Sequence, residues 1–289
     1  LDRCLPYPSL ADEIDDMREG VREKIVAAEW ATVPPRTMVI DDVKFDGPIH
    51  LPDSTRERLL ALLKQRCYDV GSEWMEEVQN VSIRGAWLDE GFFKVAPTVK
   101  VQIISEDSAV QHVVLIVHVD EGLQYRLGDV GFHSSDPTVP LIFSSTELRK
   151  LIQMREGDLL NTDKIREGLD AMKRLYGSHG YIDFVATSIT YIDNERARVS
   201  LMIEADQQKQ YRIGTVEVFG PNPRMEDLLK STLKPGEIYN DQALQNFLKD
   251  HKSSLPPDIS FEDMEFRRNV PRGIVNLRFN FQTCPQLQQ

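Results

Sequence analysis

The sequence predicts an α+β fold of three tandem β-α-α-β-β units. Each unit is expected to be a three-stranded sheet covered by two helices, in an elongated array behind an N-terminal helix. Three observations lead there. A strand-like segment recurs about every 86 residues. Helix-opening residues follow each copy, and two more alternating segments close it.

The repeat sets the architecture. QYRLGDVGF at 124–132 recurs as QYRIGTVEVFG at 210–220, which puts Val130 86 residues before Val216. A further 87 residues upstream of Val130 lies Val43, in MVIDDVKFDG at 38–47. All three alternate apolar and polar residues, as half-buried strands do. REGDLLN at 155–161 likewise recurs as KPGEIYN at 234–240. Trp87-x-x-x-Gly91-Phe92 anticipates Tyr176-x-x-x-Gly180-Tyr181, 89 residues later.

The middle unit is the clearest. After its first strand, Ser144-x-x-Glu147 has capping-box spacing for a helix near 144–154. Asn161 is placed to cap a second helix. Ile165, Leu169, Met172 and Tyr176 fall on one face of it. IDFVATSITYI and ARVSLMIEA then form a hairpin around the turn pair Asp193-Asn194. In the first unit the same roles fall to Ser54-x-x-Glu57 with Leu59, Leu60 and Leu63, then to Trp74, Val78 and Val81. Its closing strands are expected near 94–105 and 110–119. In the third unit Asn222 and Asn240 precede helices, and Leu244, Phe247 and Leu248 share a face. Strands follow near 259–267 and 273–281. The divisions are therefore 1–37, 38–122, 123–207 and 208–289. Units this small have modest cores, so packing between neighbours should support them. Linkers as short as Glu121-Gly122-Leu123 suggest a rod of limited bending.

Residues 1–37 carry an apolar stripe of Ile14, Met17, Val21, Ile25 and Ala28, ended by Pro34-Pro35. A helix packed on the first unit and a partner-binding helix both fit that stripe. The three cysteines, Cys4, Cys67 and Cys284, are an odd number without metal-ligand spacing. Connectivity does not follow from sequence, so a Cys4–Cys67 bridge stays open.

The apolar fraction of 41% and the charged fraction of 28% describe a globular chain. A net charge of −12 argues against nucleic acid or anionic lipid as a partner. No apolar run reaches the ~20 residues of a membrane-spanning helix. The chain starts at Leu1 without a basic and apolar leader, so localisation is not read from it. Nucleotide-binding, zinc-protease and nucleophile-elbow motifs are absent from the sequence. The six histidines, at 50, 112, 118, 133, 179 and 251, are scattered. Adjacent acids such as Glu76-Glu77 and Asp15-Asp16 splay apart on a helix. No enzyme activity, cofactor or metal is expected.

The stretch YGSHGYID at 176–183 reads as structural punctuation. Gly180 suits a left-handed helix terminus, where a Cβ is costly. Tyr176 covers the last helical turn and Tyr181 opens the next strand. Trp87, Gly91 and Phe92 are expected to do the same in the first unit.

VDEGLQYRLGDVGF followed by REGDLLNTDKIREGLDAMKRLYGSHGYID resembles a POTRA (polypeptide-transport-associated) domain. That family's pattern runs from EG-x-x-Y-x-I/L-G, through Gly-Asp/Glu-x-x-Asn, to Tyr-x-x-x-Gly-Tyr. The middle unit matches all three parts and the third matches the first two. The first unit matches through its strand and its Trp-x-x-x-Gly-Phe segment, with YDVGSEW a loose counterpart. The resemblance covers 38–283. It implies periplasmic domains of the outer-membrane barrel-assembly and two-partner-secretion superfamily. Their partners are unfolded or extended polypeptide clients and accessory envelope proteins. A membrane barrel following Gln289 and a stand-alone array are both compatible with it. So is a structural spacer of an envelope complex that binds no client.

The resemblance also implies that the second strand of each unit lies at a sheet edge. The candidate client-binding residues are then Phe184, Ala186, Thr187, Ser188, Thr190 and Ile192. Val185, Ile189 and Tyr191 are expected to pack on the helices, with Asp183, Ser188 and Thr190 interrupting the other face. FKVAPTVKVQII carries Pro97, and FEDMEFRR is heavily charged, which discourages strand addition at those edges. The insertion DPTVPLIF at 136–143 presents Val139, Leu141, Ile142 and Phe143. It is expected to cover the seam with a neighbouring unit, with a client-contact patch as the alternative.

Overall fold

The computed structural model describes residues 37–70, 74–219, 223–252 and 264–280. The expected N-terminal helix, Asn222, Pro256-Pro257, Cys4 and Cys284 lie outside the described residues. Cys67 is exposed and free. The chain separates into two compact bodies, Leu1–Leu123 and Gln124–Gln289. The first holds one sheet and the second holds two.

In the first body β1 (Thr37–Phe45) is followed by helix α1 (Asp53–Gln65) and a short strand β2 (Cys67–Asp69). Helix α2 is continuous over Trp74–Glu76, Glu77–Ile83 and Arg84–Leu88, and the hairpin β3 (Ala96–Glu106) and β4 (Val110–Asp120) closes the unit. The sheet order is β2-β1-β4-β3, so this sheet has four strands rather than the expected three. Strand β2 pairs antiparallel with β1. In the other two units the equivalent segment makes only a single bridge to the first strand, Arg126 to Leu159 and Arg212 to Ile238.

The middle segment of α2, Glu77–Ile83, is wound as a π-helix. A π turn inserts an extra residue and rotates the face that follows. Trp74, Val78, Ile83 and Trp87 are buried, and the five-residue step from Val78 to Ile83 is one that an α-helical face does not give. Val81, expected on the inner face, is 67% exposed, and Ile83 takes its place at 0%. Helix α1 also departs from expectation. It starts at Asp53 with Pro52 as its cap residue and no side-chain cap, so the Ser54–Glu57 capping box does not form.

The second body begins with β5 (Arg126–Ser134), α3 (Ser145–Arg149), α4 (Thr162–Gly177), β6 (Val185–Asp193) and β7 (Arg198–Asp206). It continues with β8 (Arg212–Phe219), α5 (Pro223–Thr232), α6 (Asp241–Asp250), β9 (Met264–Asn269) and β10 (Ile274–Asn280). Its sheets have the orders β5-β7-β6 and β8-β10-β9. In all three sheets the first strand of the unit runs parallel to the last, and the hairpin's leading strand takes the edge. Ser144 and Glu147 form the full capping box, while α3 itself is short. Arg149 ends it by donating to the carbonyls of Ile152 and Met154. Asn161 and Asn240 cap α4 and α6 through the N–H groups of Lys164 and Ala243.

The glycine shared by QYRLG and QYRIG has a packing reason. A Cβ on Gly128 would collide with the Ser200 hydroxyl, and one on Gly214 with the Asn276 side-chain oxygen. The strands bulge there, and those same atoms accept the next N–H groups, from Asp129 at 3.2 Å and Thr215 at 2.9 Å. A bulge leaves one backbone group without a ladder partner. Here the neighbouring strand's side chain supplies the partner, in space that only glycine leaves open.

Candidate peptide-docking edge

Strand β6 owes its position to a tight hairpin. The Asp193 carboxylate accepts the Arg196 N–H at 2.9 Å, and Ala197 turns the chain with φ +48°. The register pairs Ala186 with Ala205, Ser188 with Ile203, Thr190 with Leu201 and Ile192 with Val199. The Ala205 carbonyl accepts the Ser135 N–H, on the β5 side of β7. Successive residues of a strand point their backbone groups to opposite sides. Val199, Leu201, Ile203 and Ala205 therefore face β5, and their β6 partners are the non-hydrogen-bonded members of the ladder. Ala186, Ser188, Thr190 and Ile192 thus direct N–H and C=O away from the sheet, at its open edge.

Two of the six candidate client-binding residues have other roles. Phe184 is 3% exposed and stacks on Tyr176, with ring centroids 3.9 Å apart and planes 7° from parallel. It is core. Thr187 pairs with Glu204 and spends its backbone groups on β7. The expected facing of the strand is also inverted. Leu201, Ile203 and Ala205 are buried on the helix side. Their partners Ala186, Ser188 and Thr190 therefore share that side. Val185, Ile189 and Tyr191 lie on the open face, exposed to 54%, 40% and 58%.

The other two edges carry obstacles. The Val117 carbonyl of β4 faces β1, accepting from Asp46, so by the same alternation Val119 and its partner Pro97 form a non-hydrogen-bonded pair. Pro97 therefore removes an outward donor from β3. On β9, Glu265 and Arg267 pair at 2.8 Å, and Arg278 joins Glu265 to Glu217. Charges on an edge strand oppose strand addition.

The chain enters β6 through a helix end locked by glycine. Gly180 has φ +87°, Tyr181 donates to the Tyr176 carbonyl at 3.0 Å, and Gly180 donates to Gly177 at 3.1 Å. This is the Schellman pattern. Gly91 repeats it at φ +88°, with Phe92 donating to Trp87 and Gly91 to Leu88. The Tyr176 ring is fully buried, and that burial pushes its phenol up to about 12.

The insertion at 136–143 fastens to its own unit. Phe143 meets Tyr176 and His179 edge-on at 4.9 and 5.0 Å. The Gln207 amide accepts the Ile142 N–H at 2.9 Å and donates to the Pro140 carbonyl at 3.0 Å. Val139 and Ile142 remain exposed and Leu141 half-buried. Val139, Leu141, Phe132 and Phe143 line an open cleft of about 480 Å³. Gln207 was not singled out from the sequence, yet its counterpart 86 residues earlier, Glu121, does the same work. Glu121 accepts the His50 N–H at 2.7 Å, the His50 ring at 2.6 Å and the Trp87 indole at 2.7 Å. Burial alone would raise the Glu121 pKa, but those three donors hold it below the usual carboxylate value. His112 and His118, which share a face, bind separately to the Asp41 carboxylate and the Asp46 carbonyl. No cluster with metal-ligand composition occurs among the described residues. Among them, too, no helix is long and apolar enough to cross a membrane.

Residues 125–208 match the family model of POTRA, described as surface antigen variable number repeat. The fold is similar to that of POTRA3-5 of Haemophilus influenzae BamA, with a TM-score of 0.62 at 19% identity. That likeness covers 87% of this chain and 98% of the other. A protein of Treponema pallidum (strain Nichols), provisionally named outer membrane protein assembly factor, is 22% identical over 245 residues. The match covers 81% of this chain, which spans only 29% of that relative's length. The middle unit, residues 125–208, thus matches the POTRA family model, and the chain has the fold of POTRA domains in tandem over 87% of its length.

Proposed function

We propose that this chain is a periplasmic polypeptide-binding array that supports outer-membrane protein assembly or transport. It takes extended clients by strand addition at the β6 edge. The observation that carries the reading is the row of outward backbone groups at Ala186, Ser188, Thr190 and Ile192 on an exposed edge strand. Backbone pairing makes little demand on client sequence, which suits a protein that handles many chains. The POTRA match and the name of the Treponema relative support the cellular setting. Accessory envelope proteins, and a membrane barrel in the same polypeptide, are the partners expected with it.

The test is photo-cross-linking of an extended peptide to the full chain and to Ser188→Pro. Proline at 188 removes an outward donor and leaves the β6–β7 bonds in place. One hydrogen bond contributes about 1 kcal/mol net, so cross-linking at subsaturating peptide should fall about 5-fold. Equal cross-linking to the variant, or labelling mainly of β3 or β9, would refute the assignment. No cross-linking at any edge would favour a spacer that binds no client.

A further inference from the structure

Resting on that reading, we infer that the β6 edge selects segments whose apolar residues alternate, and that it reads them on the sheet face turned away from the helices. The strand is two-sided. Its open face carries Val185, Ile189 and Tyr191, all exposed, with Thr187 between them. Met202, directly across from Ile189, continues the apolar surface toward β5 by lying over Gly131. The helix-side positions Ala186, Ser188 and Thr190 are small or polar, and Ile192 at the strand's end is the apolar member of that set.

An added strand must continue both faces, because its side chains alternate in step with those of β6. Residues opposite Val185, Ile189 and Tyr191 gain apolar cross-strand neighbours and cover surface that water now wets. Residues of the intervening set meet Ala186, Ser188 and Thr190 and gain little from being large and apolar. A client with apolar groups at every second position satisfies both sides at once. A client with the same groups in one block leaves half of them on the wrong face. The third unit supplies an internal contrast, since the corresponding face of its sheet is occupied by Glu217, Glu265, Arg267 and Arg278 in ion pairs. In the middle unit the polar groups of that face, Glu204 and His133, lie on the inner strands, and the unobstructed edge strand itself carries the apolar residues.

The experiment compares two nine-residue peptides of identical composition, one alternating Val and Thr and one with the Val residues in a block. Each is capped and flanked by the same lysines. Binding to the 289-residue chain is measured by fluorescence anisotropy. The alternating peptide should bind at least about 5-fold more tightly, from several cross-strand pairs acting together. Ile189→Thr combined with Tyr191→Thr should abolish that preference while the blocked peptide's affinity holds. Both sites are exposed, and an unchanged melting curve verifies that the variant folds. Equal binding of the two peptides overturns the face selectivity and leaves strand addition standing. A preference that survives in the double variant places the selectivity elsewhere and overturns it too. Binding of neither peptide removes strand addition and this inference together.

Discussion

The hydroxyl of Tyr211, whose side chain is fully buried in the third unit, donates to the Asp183 carboxylate of the middle unit at 2.7 Å. The other Asp183 oxygen accepts Arg268 of β9 at 2.7 Å. The Tyr211 N–H donates to the Gly180 carbonyl at 2.8 Å. Burial and then the facing carboxylate push the Tyr211 phenol up to about 12. Two residues at the entrance to β6, Gly180 and Asp183, thereby bind its unit to the next.

Asp183→Ala should destabilise the second body by about 1–3 kcal/mol, since it strands a buried hydroxyl. Tyr211→Phe removes donor and demand together and should cost about 1 kcal/mol. Urea denaturation of each variant measures the difference. Equal stability of Asp183→Ala and the parent chain would mean that the bond contributes nothing.

Gly180 meets two constraints at once. Its φ of +87° disfavours any Cβ, and a Cβ would stand 2.8 Å from the Tyr211 carbonyl and 2.8 Å from Ile238. Gly236 has φ +88° with open space around it. Gly236→Ala should therefore cost about 1 kcal/mol, and Gly180→Ala roughly 2–4 kcal/mol. Matching melting shifts for the two variants would contradict the close packing at Gly180.

The Glu121 clamp should make the first body sensitive to acid. Its folded pKa is depressed, so its contribution is fully present above the unfolded value of about 4.3. That contribution is lost as pH falls through the lower folded value. Glu121→Gln keeps acceptors for His50 and Trp87 and should flatten this part of the stability–pH profile below about pH 5. Gln207 occupies the same place in the middle unit and does not titrate. An unchanged acid limb in Glu121→Gln would show that other groups set it.

Within α2, Ile83→Ala should cost about 2–5 kcal/mol, as expected for a fully buried aliphatic side chain. Val81→Asp should change stability by less than about 0.5 kcal/mol. Comparable losses from the two substitutions would mean that the helix keeps an α-helical phase through this segment.

The features readable from sequence were those fixed locally. Gly91, Gly180, Asn161, Asn240 and the Ser144–Glu147 pair each act within one turn of chain, so their chemistry is visible in a short window. The phase of α2 was not readable, because the choice between Val81 and Ile83 depends on the core that the helix packs against. The facing of β6 was lost for a related reason. IDFVATSITYI places apolar residues on both alternations, and a one-residue difference in facing exchanges its faces. Burial of Phe184 against Tyr176 decides the matter, and that is a tertiary contact. Gln207 and Glu121 could have been found, since their 86-residue separation is that of the strand repeat. Neither belongs to a motif that suggests a clamp.

Strand addition at the β6 edge is tested most directly by amide hydrogen exchange resolved by residue. Adding the alternating peptide to the full chain should slow exchange at Ala186, Ser188, Thr190 and Ile192, whose N–H groups point outward. Val185, Thr187, Ile189 and Tyr191, already bonded to β7, should change little, as should the edges β3 and β9. Protection that skips those four amides, or that falls on β3 or β9 instead, would contradict it.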